Sequence, residues 1–487
     1  MLDQDVKTAI ELKLRDKFWE IYNSTSDVDD KIDKWNLFNK ELESLKAKTI
    51  LPKLVIEGRQ SQDFSLGRSV NLVNSPLGNK EVKKWNFSFP VLLKGEFNDL
   101  TIDAARFENG LEVECKFNEK GQINQYFAVN NVFFRDVEVN KTFVVSGAKF
   151  SGEVKFLGFV LINCINARID QTTCSDIFLC SGIDLIQSSL EISDSEFENN
   201  AHFFIKSSQI GSDILLTHNK FVRDFILGIN SGKAFIKELS LCNSVFNGHS
   251  IIYQMETSTQ KIEQLNMDWA IFKNVMSIKL KNIVNIPDFS KTNFIDINNL
   301  SLNAESWEEN GIINSSEITK NDENKFRFLK RYFAVQGNHF KENQYFAYEM
   351  AAHEKKLKND VFSFNNAVGY SHRFLKNSSE LLLFWLYKLT SNFGMSWVRP
   401  LICLFLSAFI MSIYLEDTTQ HYFSFFKEFI VFRVENISYK EALLKTALPI
   451  STAREYKESL IVNLHCLVNV LFIFLLFLSL RNKFKTK

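Results

Sequence analysis

Glu349 and His353 stand four positions apart in a stretch with helical periodicity, so the two side chains can share a face. A metal site needs three or four matched ligands, and the HExxH pattern is absent, so a helical ion pair is expected there. Asp170 and Asp194 lie 24 positions apart and could stack on one face of a repeating fold, as the carboxylate pair of a polysaccharide hydrolase or lyase would. At the equivalent place further on stand His218, Asn243 and Trp269, which cannot continue an acidic row. No phosphate-binding glycine loop and no GxSxG elbow occur. The expectation is a protein that is not an enzyme, with no catalytic, cofactor-binding or metal-binding residues. A carbohydrate-active enzyme is the lesser alternative.

A second polar group lies in an unusual place. Asn463, His465 and Asn469 sit within 459–480, a run of 22 residues without a charge. As a helix that run would measure about 33 Å, enough to cross a hydrocarbon core. His465 and Asn469 would share a face, with Asn463 about 160° away from His465 at ~100° per residue. Polar groups at such depth either line a pathway or hold helices together. A first, shorter candidate span runs from Trp397 to Leu415, where Ala408 and Ser412 offer a small-residue face for the second helix to pack on.

The flanks suit a membrane interface. Trp385 and Trp397 are aromatic anchors, Arg399 can snorkel, and Arg481 and Lys483 open a basic terminus. With no signal peptide at the start, both termini are expected on the cytoplasmic side of a bacterial inner membrane. Residues 416–458 would then be the outer connection. Within it Tyr422, Phe425, Phe426, Phe429 and Phe432 recur at helical spacing. They suit a helix lying in the interface or a re-entrant element lining a pore.

Ahead of this tail the chain repeats itself. The segments SLEISDSEF, DILLTHNKF, ELSLCNSVF and QLNMDWAIF end at Phe197, Phe221, Phe246 and Phe272. In each, the fifth and seventh residues before the phenylalanine are apolar: Ile192 and Leu190, Leu216 and Ile214, Leu241 and Leu239, Met267 and Leu265. A further copy ends at Phe294 with Phe289. Looser ones end at Phe107 (Leu100, Ile102), Phe134 (Phe127, Val129) and Phe150 (Phe143, Val145). Apolar residues two apart mark one face of a strand. Recurrence every 22–26 residues from Phe197 to Phe294 predicts a solenoid of stacked coils. A right-handed parallel β-helix fits best, with about ten coils between Leu54 and Asn303 at ~4.8 Å each. An irregular antiparallel protein is the alternative.

Composition agrees. Among 487 residues phenylalanine occurs 47 times but proline only six and glycine 18, which argues against a loop-rich or disordered chain. Basic and acidic residues balance at 57 each, so no field advertises a nucleic-acid partner. Seven scattered cysteines without a CxxC pair predict reduced, mostly buried thiols. Residues Met1 to Leu45 read as helix, with Ala9, Leu12, Phe18, Ile21 and Tyr22 on one face. From about Asn321 the period changes to that of helices. Asp322 is placed to cap a first, carrying Phe326, Leu329 and Phe333, and Gly337-Asn338 breaks it. A second carries Phe346, Met350 and Leu357 to about Asn359. Such a hairpin could cover an open solenoid end.

Several of these residues carry a resemblance. Ala105-Arg106-Phe107 and Ala148-Lys149-Phe150 resemble units of pentapeptide-repeat β-helix proteins, although tandem A(D/N)LXX units are absent. Phe326-Arg327-Phe328-Leu329-Lys330, Gly337-Asn338, Glu342 and Tyr345 to Met350 look like the segment after the repeats in membrane-bound bacterial members of that group. Ser391 to Gly394, Trp397, Arg399-Pro400 and Leu480 to Phe484 continue the likeness. It implies a two-span membrane domain, in some relatives grouped with ion-channel-like tails.

The expected organisation is therefore mainly β: a helical segment 1–50, a right-handed β-helix 51–310 and a helical hairpin 320–360. A juxtamembrane segment 361–396 and a two-span membrane domain 397–487 with two transmembrane helices complete it. The expected function is an anchored interaction or sensor protein. Its β-helix would bind an unidentified protein partner and be coupled to a membrane effector that is channel-like and harmful to the host cell, as in phage exclusion or a toxin. A passive anchored scaffold is the alternative. The bilayer is the second partner, and pore formation would require a homo-oligomer. No nucleic acid or cofactor is expected.

Overall fold

The computed structural model describes residues 2–45, 53–58, 63–66, 318–362, 380–381, 385–390, 396, 398–415 and 460–485. It also describes 85–303 apart from 103–104, 124–127, 130, 208–210, 230–234, 256–257, 259–260 and 282. The chain divides into two compact units, Met1–Ile312 and Ile313–Lys487.

The first unit is a parallel β-solenoid. Short strands from Trp85–Phe87 to Asn293–Phe294 stack into a narrow ten-stranded sheet, and longer strands form an eighteen-stranded sheet around the rest of each coil. Repetition is the cause. Each coil places a like residue over a like residue, as in the parallel registers Phe197↔Phe221, Phe221↔Phe246 and Phe246↔Phe272. The paired apolar positions follow suit, with Leu190↔Ile214 and Ile192↔Leu216 on the long sheet. All of these side chains are buried. Burying each is worth about 1.5–3 kcal/mol.

Two coils depart from the spacing read in the sequence. Phe134 is not on the phenylalanine column: it lies in Val132–Arg135, opposite Phe156 on the long sheet. Val129 holds the column position instead, between Phe107 and Phe150, preceded by Gly121 and Ile123. Phe127 lies outside the described residues. Two coils later, after Phe150, the column passes through Cys174, preceded by Ala167 and Ile169, so an unrecognised coil fills the gap from Phe150 to Phe197.

Polar side chains run inside the wall. Ser195 Oγ accepts from Thr172 N (3.1 Å), Asn219 Oδ1 from Ser195 N (3.0 Å) and Ser244 Oγ from Asn219 N (3.1 Å). The three accepting side chains are buried, and they satisfy amides at a corner where the sheet ladder is interrupted.

The N-terminal residues are helical as expected and form two helices, α1 (Leu2–Tyr22) and α2 (Val28–Leu45), separated by a turn in which Ser24 Oγ donates to Ile21 O (2.7 Å). The buried face of α1 is Leu14, Phe18 and Ile21, while Ala9 and Leu12 are exposed. Phe18 and Trp35 pack on Phe64, Trp85, Phe87 and Phe89, the rings at the first coil's open end. The backbone of Asn86 is met by side chains: Trp35 Nε1 and Asn39 Nδ2 donate to its carbonyl (3.0 and 3.1 Å), and Asn36 Oδ1 accepts from its amide (3.0 Å). An exposed edge is thus covered and its hydrogen bonds filled.

In the second unit α3 (Glu323–Val335) and α4 (His339–Phe362) form a hairpin about Gly337, whose φ is +70°. Phe326, Leu329 and Phe333 on α3 and Leu357 on α4 are buried as expected, but Tyr345, Glu349 and Ala352 also face inward while Phe346 and Met350 are half-buried. The cap is Thr319, whose hydroxyl accepts from Asn321 N. The Asp322 carboxylate reaches back to Thr319 N (2.7 Å), a capping box one turn earlier than expected. Two apolar helices follow, α5 (Val398–Leu415) and α6 (Leu460–Lys485), which pack against each other. Among the described residues no helix is long and apolar enough to cross a membrane. The side chains described in α6 cover 464–480, roughly 25 Å of helix against a hydrocarbon core of ~30 Å.

Candidate functional site

The acidic pair singled out on the solenoid does not stack. Asp170 lies opposite Ser193, and Asp194 falls one place further on, at the corner held by Gln171 in the preceding coil. The step from Cys174 to Phe197 is 23 residues, one fewer than the 24 between the two aspartates, so their register is shifted by one. Asp170 is nearly buried and is held by Arg168 (3.3 Å), a structural ion pair.

On the hairpin, Glu349 and His353 are each engaged by groups from other elements. Glu349 is buried and accepts from Arg327 Nε (2.9 Å) and Lys330 Nζ (2.5 Å), both on α3. His353 faces two carboxylates, with Nδ1 3.3 Å from Glu323 and Nε2 3.4 Å from Glu380. Glu323 is buried at the start of α3 and also binds Arg327 and Lys356. Burial raises its pKa, but Lys356, His353 and Arg327 prevail and hold the carboxyl below its ordinary value. Glu354 behaves alike: burial is overcome by Lys358 and Lys388, at 2.7 and 2.8 Å. The network ties α3, α4 and the turn of helix at 385–390 together. Among the described residues no group of three histidines, cysteines or carboxylates is placed to hold a metal ion. Glu323 and Arg327 are four apart on a helix legible in the sequence, so that half of the network could have been found; the cross-helix half could not.

The contact between α5 and α6 gathers polar groups. Asn469 Nδ2 donates to His465 Nε2 (2.9 Å), and Ser407 Oγ lies 3.2 Å from His465 Nδ1. With Nε2 accepting, a neutral imidazole carries its hydrogen on Nδ1 and gives it to Ser407. Ala408, Cys466 and Asn469 are buried here, whereas Ile402, Phe405, Ile410, Leu467, Phe474 and Phe477 are exposed. The pair buries the polar Asn469 and Ser479 beside Ala408, Cys466 and Leu475, and its outside is apolar. Ser407 escaped notice because a lone serine in an apolar run has no periodicity to mark it. Of the other residues named in advance, Trp385 is exposed, and Arg399 donates to Lys388 O (3.3 Å). Trp397 and the segment 416–458 lie outside the described residues, as do the side chains of Ser412, Asn463, Arg481 and Lys483. All seven cysteines are free thiols, and five are buried.

The fold defines a class, the parallel β-solenoid followed by helices. Compared with known proteins, the chain matches no family model, no curated protein and no solved structure.

Proposed function

We propose that this is a membrane-anchored interaction protein, in which the solenoid receives a protein partner and α5 and α6 enter the bilayer from the same side. The observation that carries this reading is the inverted pairing of α5 and α6. Leu467 and Phe474 are more than 60% exposed while Asn469 is fully buried. Water would favour the reverse, and a hydrocarbon solvent favours this arrangement. The uncharged run 459–480 supplies the length, and the basic residues from Arg481 onward suit the cytoplasmic face of a bacterial inner membrane. Fractionation of expressing cells tests it. The intact chain should pellet with membranes, resist carbonate extraction and dissolve in detergent. Recovery in the soluble fraction without detergent would end the proposal.

The effector form of this reading is a hairpin that depolarises the host, as in phage exclusion or toxicity. The passive-scaffold form has one observation in its favour: Ser407, His465 and Asn469 spend their hydrogen bonds within the hairpin rather than on an outer, pore-facing surface. Replacing 380–487 by an unrelated anchor separates the two. An effector loses membrane depolarisation, read by a potential-sensitive dye, whereas a scaffold keeps its full activity.

A further inference from the structure

Along one corner of the solenoid the backbone turns through the left-handed region once per coil, at Gly147, Gln171, Asp194, His218, Asn243 and Trp269, with φ between 50° and 64°. Each stands three places before a residue of the narrow sheet: Phe150, Cys174, Phe197, Phe221, Phe246 and Phe272. Successive coils are joined there by backbone bonds, from Gln171 N to Ser193 O, Asp194 N to Thr217 O, His218 N to Cys242 O and Asn243 N to Asp268 O. Glycine, asparagine and aspartate tolerate this conformation; a tryptophan is rarely found in it.

The five side chains from Gln171 to Trp269 are all exposed and form a row, one per coil, with a step of about 4.8 Å. Among the described residues none of the five side chains makes a hydrogen bond, ion pair or ring contact. Charged neighbours beside the row are engaged: Arg168 with Asp170, Lys220 with Glu196 (2.6 Å) and Lys291 with Asp268 (2.5 Å). Trp269 is 64% exposed, so the fold gains little from its indole and bears a strained backbone besides.

We infer that this row is a binding edge for an extended, uncharged glycan, with the Trp269 indole as the platform at one end. The chemistry of the row selects that ligand. An indole face takes the C–H face of a pyranose. The amides of Gln171 and Asn243, the carboxylate of Asp194 and the imidazole of His218 bridge vicinal hydroxyls. A β-linked sugar chain advances by about one coil per residue, so successive rings meet successive side chains. Nucleic acid is disfavoured, because the row holds a carboxylate and no lysine or arginine. Strand addition by a peptide is disfavoured too, because the corner amides already bond to the next coil. This inference stands apart from the membrane reading and does not depend on it.

The test uses the full-length protein in detergent micelles with cellohexaose and chitohexaose, which are extended, and maltohexaose, which coils. Saturation-transfer NMR on the sugar and calorimetry read the binding. An extended hexasaccharide should bind at about 1 mM or tighter, and Trp269→Ala should weaken it roughly tenfold. Trp269→Asn suits the turn better, so it should lose binding while its thermal midpoint stays at or above the parent's. That second variant separates loss of the platform from loss of the fold. Absence of binding by every hexasaccharide at about 10 mM would overturn the inference. So would binding that Trp269→Asn leaves intact, or a peptide-library ligand that needs Trp269 when no sugar binds.

Discussion

Phe246 and Phe272, one coil apart, lie face to face with ring centroids 4.6 Å apart and planes 7° from parallel. The pile continues through Phe221 at 4.9 Å, Phe197 at 5.0 Å and Phe294 at 5.3 Å. Each central ring therefore has an aromatic neighbour on both sides, and its loss touches three coils. Phe246→Ala should cost about 3–5 kcal/mol of unfolding free energy, and Phe246→Leu much less. Denaturant titration of the purified chain measures both. Equal effects would show that volume rather than stacking holds the column.

Coils approach most closely where a side chain is missing. A Cβ on Gly248 would lie 2.4 Å from the backbone carbonyl of Arg223 in the preceding coil, and a backbone atom cannot swing aside. Gly248→Ala should destabilise by about 1–3 kcal/mol, as overpacking does. An unchanged denaturation midpoint would mean that the coils are less tightly stacked than the register implies.

Trp35 covers the first coil and is fully buried. Trp35→Ala should cost about 3–5 kcal/mol and uncover Trp85 and Phe87. Binding of a hydrophobic dye under native conditions reads the uncovered end. If dye binding does not rise, α2 is not the lid.

The hairpin should weaken in acid. Glu323 and Glu354 have pKa values held below the ordinary range, so their contribution to stability is complete above the unfolded value of about 4.3. It is lost as pH falls through the lower folded values. Hydrogen exchange over 323–358 should therefore hold steady down to about pH 5 and accelerate as pH falls further towards about 3, after correction for intrinsic rates. Glu323→Gln should flatten part of that dependence. A dependence unaltered by the substitution would assign it to other groups.

His465→Leu removes the middle of the Ser407–His465–Asn469 chain and should weaken association of α5 with α6 by about 0.6–2 kcal/mol. Engineered disulfide yield between the two helices reports the change. No change in yield would make the cluster incidental to packing.

Much of the fold was legible before any coordinates. From Phe197 onward the column of phenylalanines and the apolar pairs before it recur at nearly even spacing, and they stack as that spacing implies. Where Val129 and Cys174 replace phenylalanine the signal vanishes, and Phe134 on the long sheet stands at a spacing that mimics the column. An aromatic marks a column only while the column keeps choosing it. On α4 Leu357 is buried as its spacing implies, but in the first turns Tyr345 and Glu349 turn inward in place of Phe346 and Met350. The inward phase of Glu349 is set by Arg327 and Lys330 on the facing helix, which no pattern within α4 announces.

From the sequence alone one could derive that the chain coils, about how often, and that its tail is apolar. Those properties reside in local side-chain periodicity, which strands and helices obey wherever they lie. Only the tertiary structure decided which residue faces which: Asp194 beside Gln171 instead of Asp170, Glu349 with Arg327 on the facing helix, and His465 with Ser407. A shift of one residue in a coil changes every neighbour without changing the period, so register is decided by packing across coils and helices.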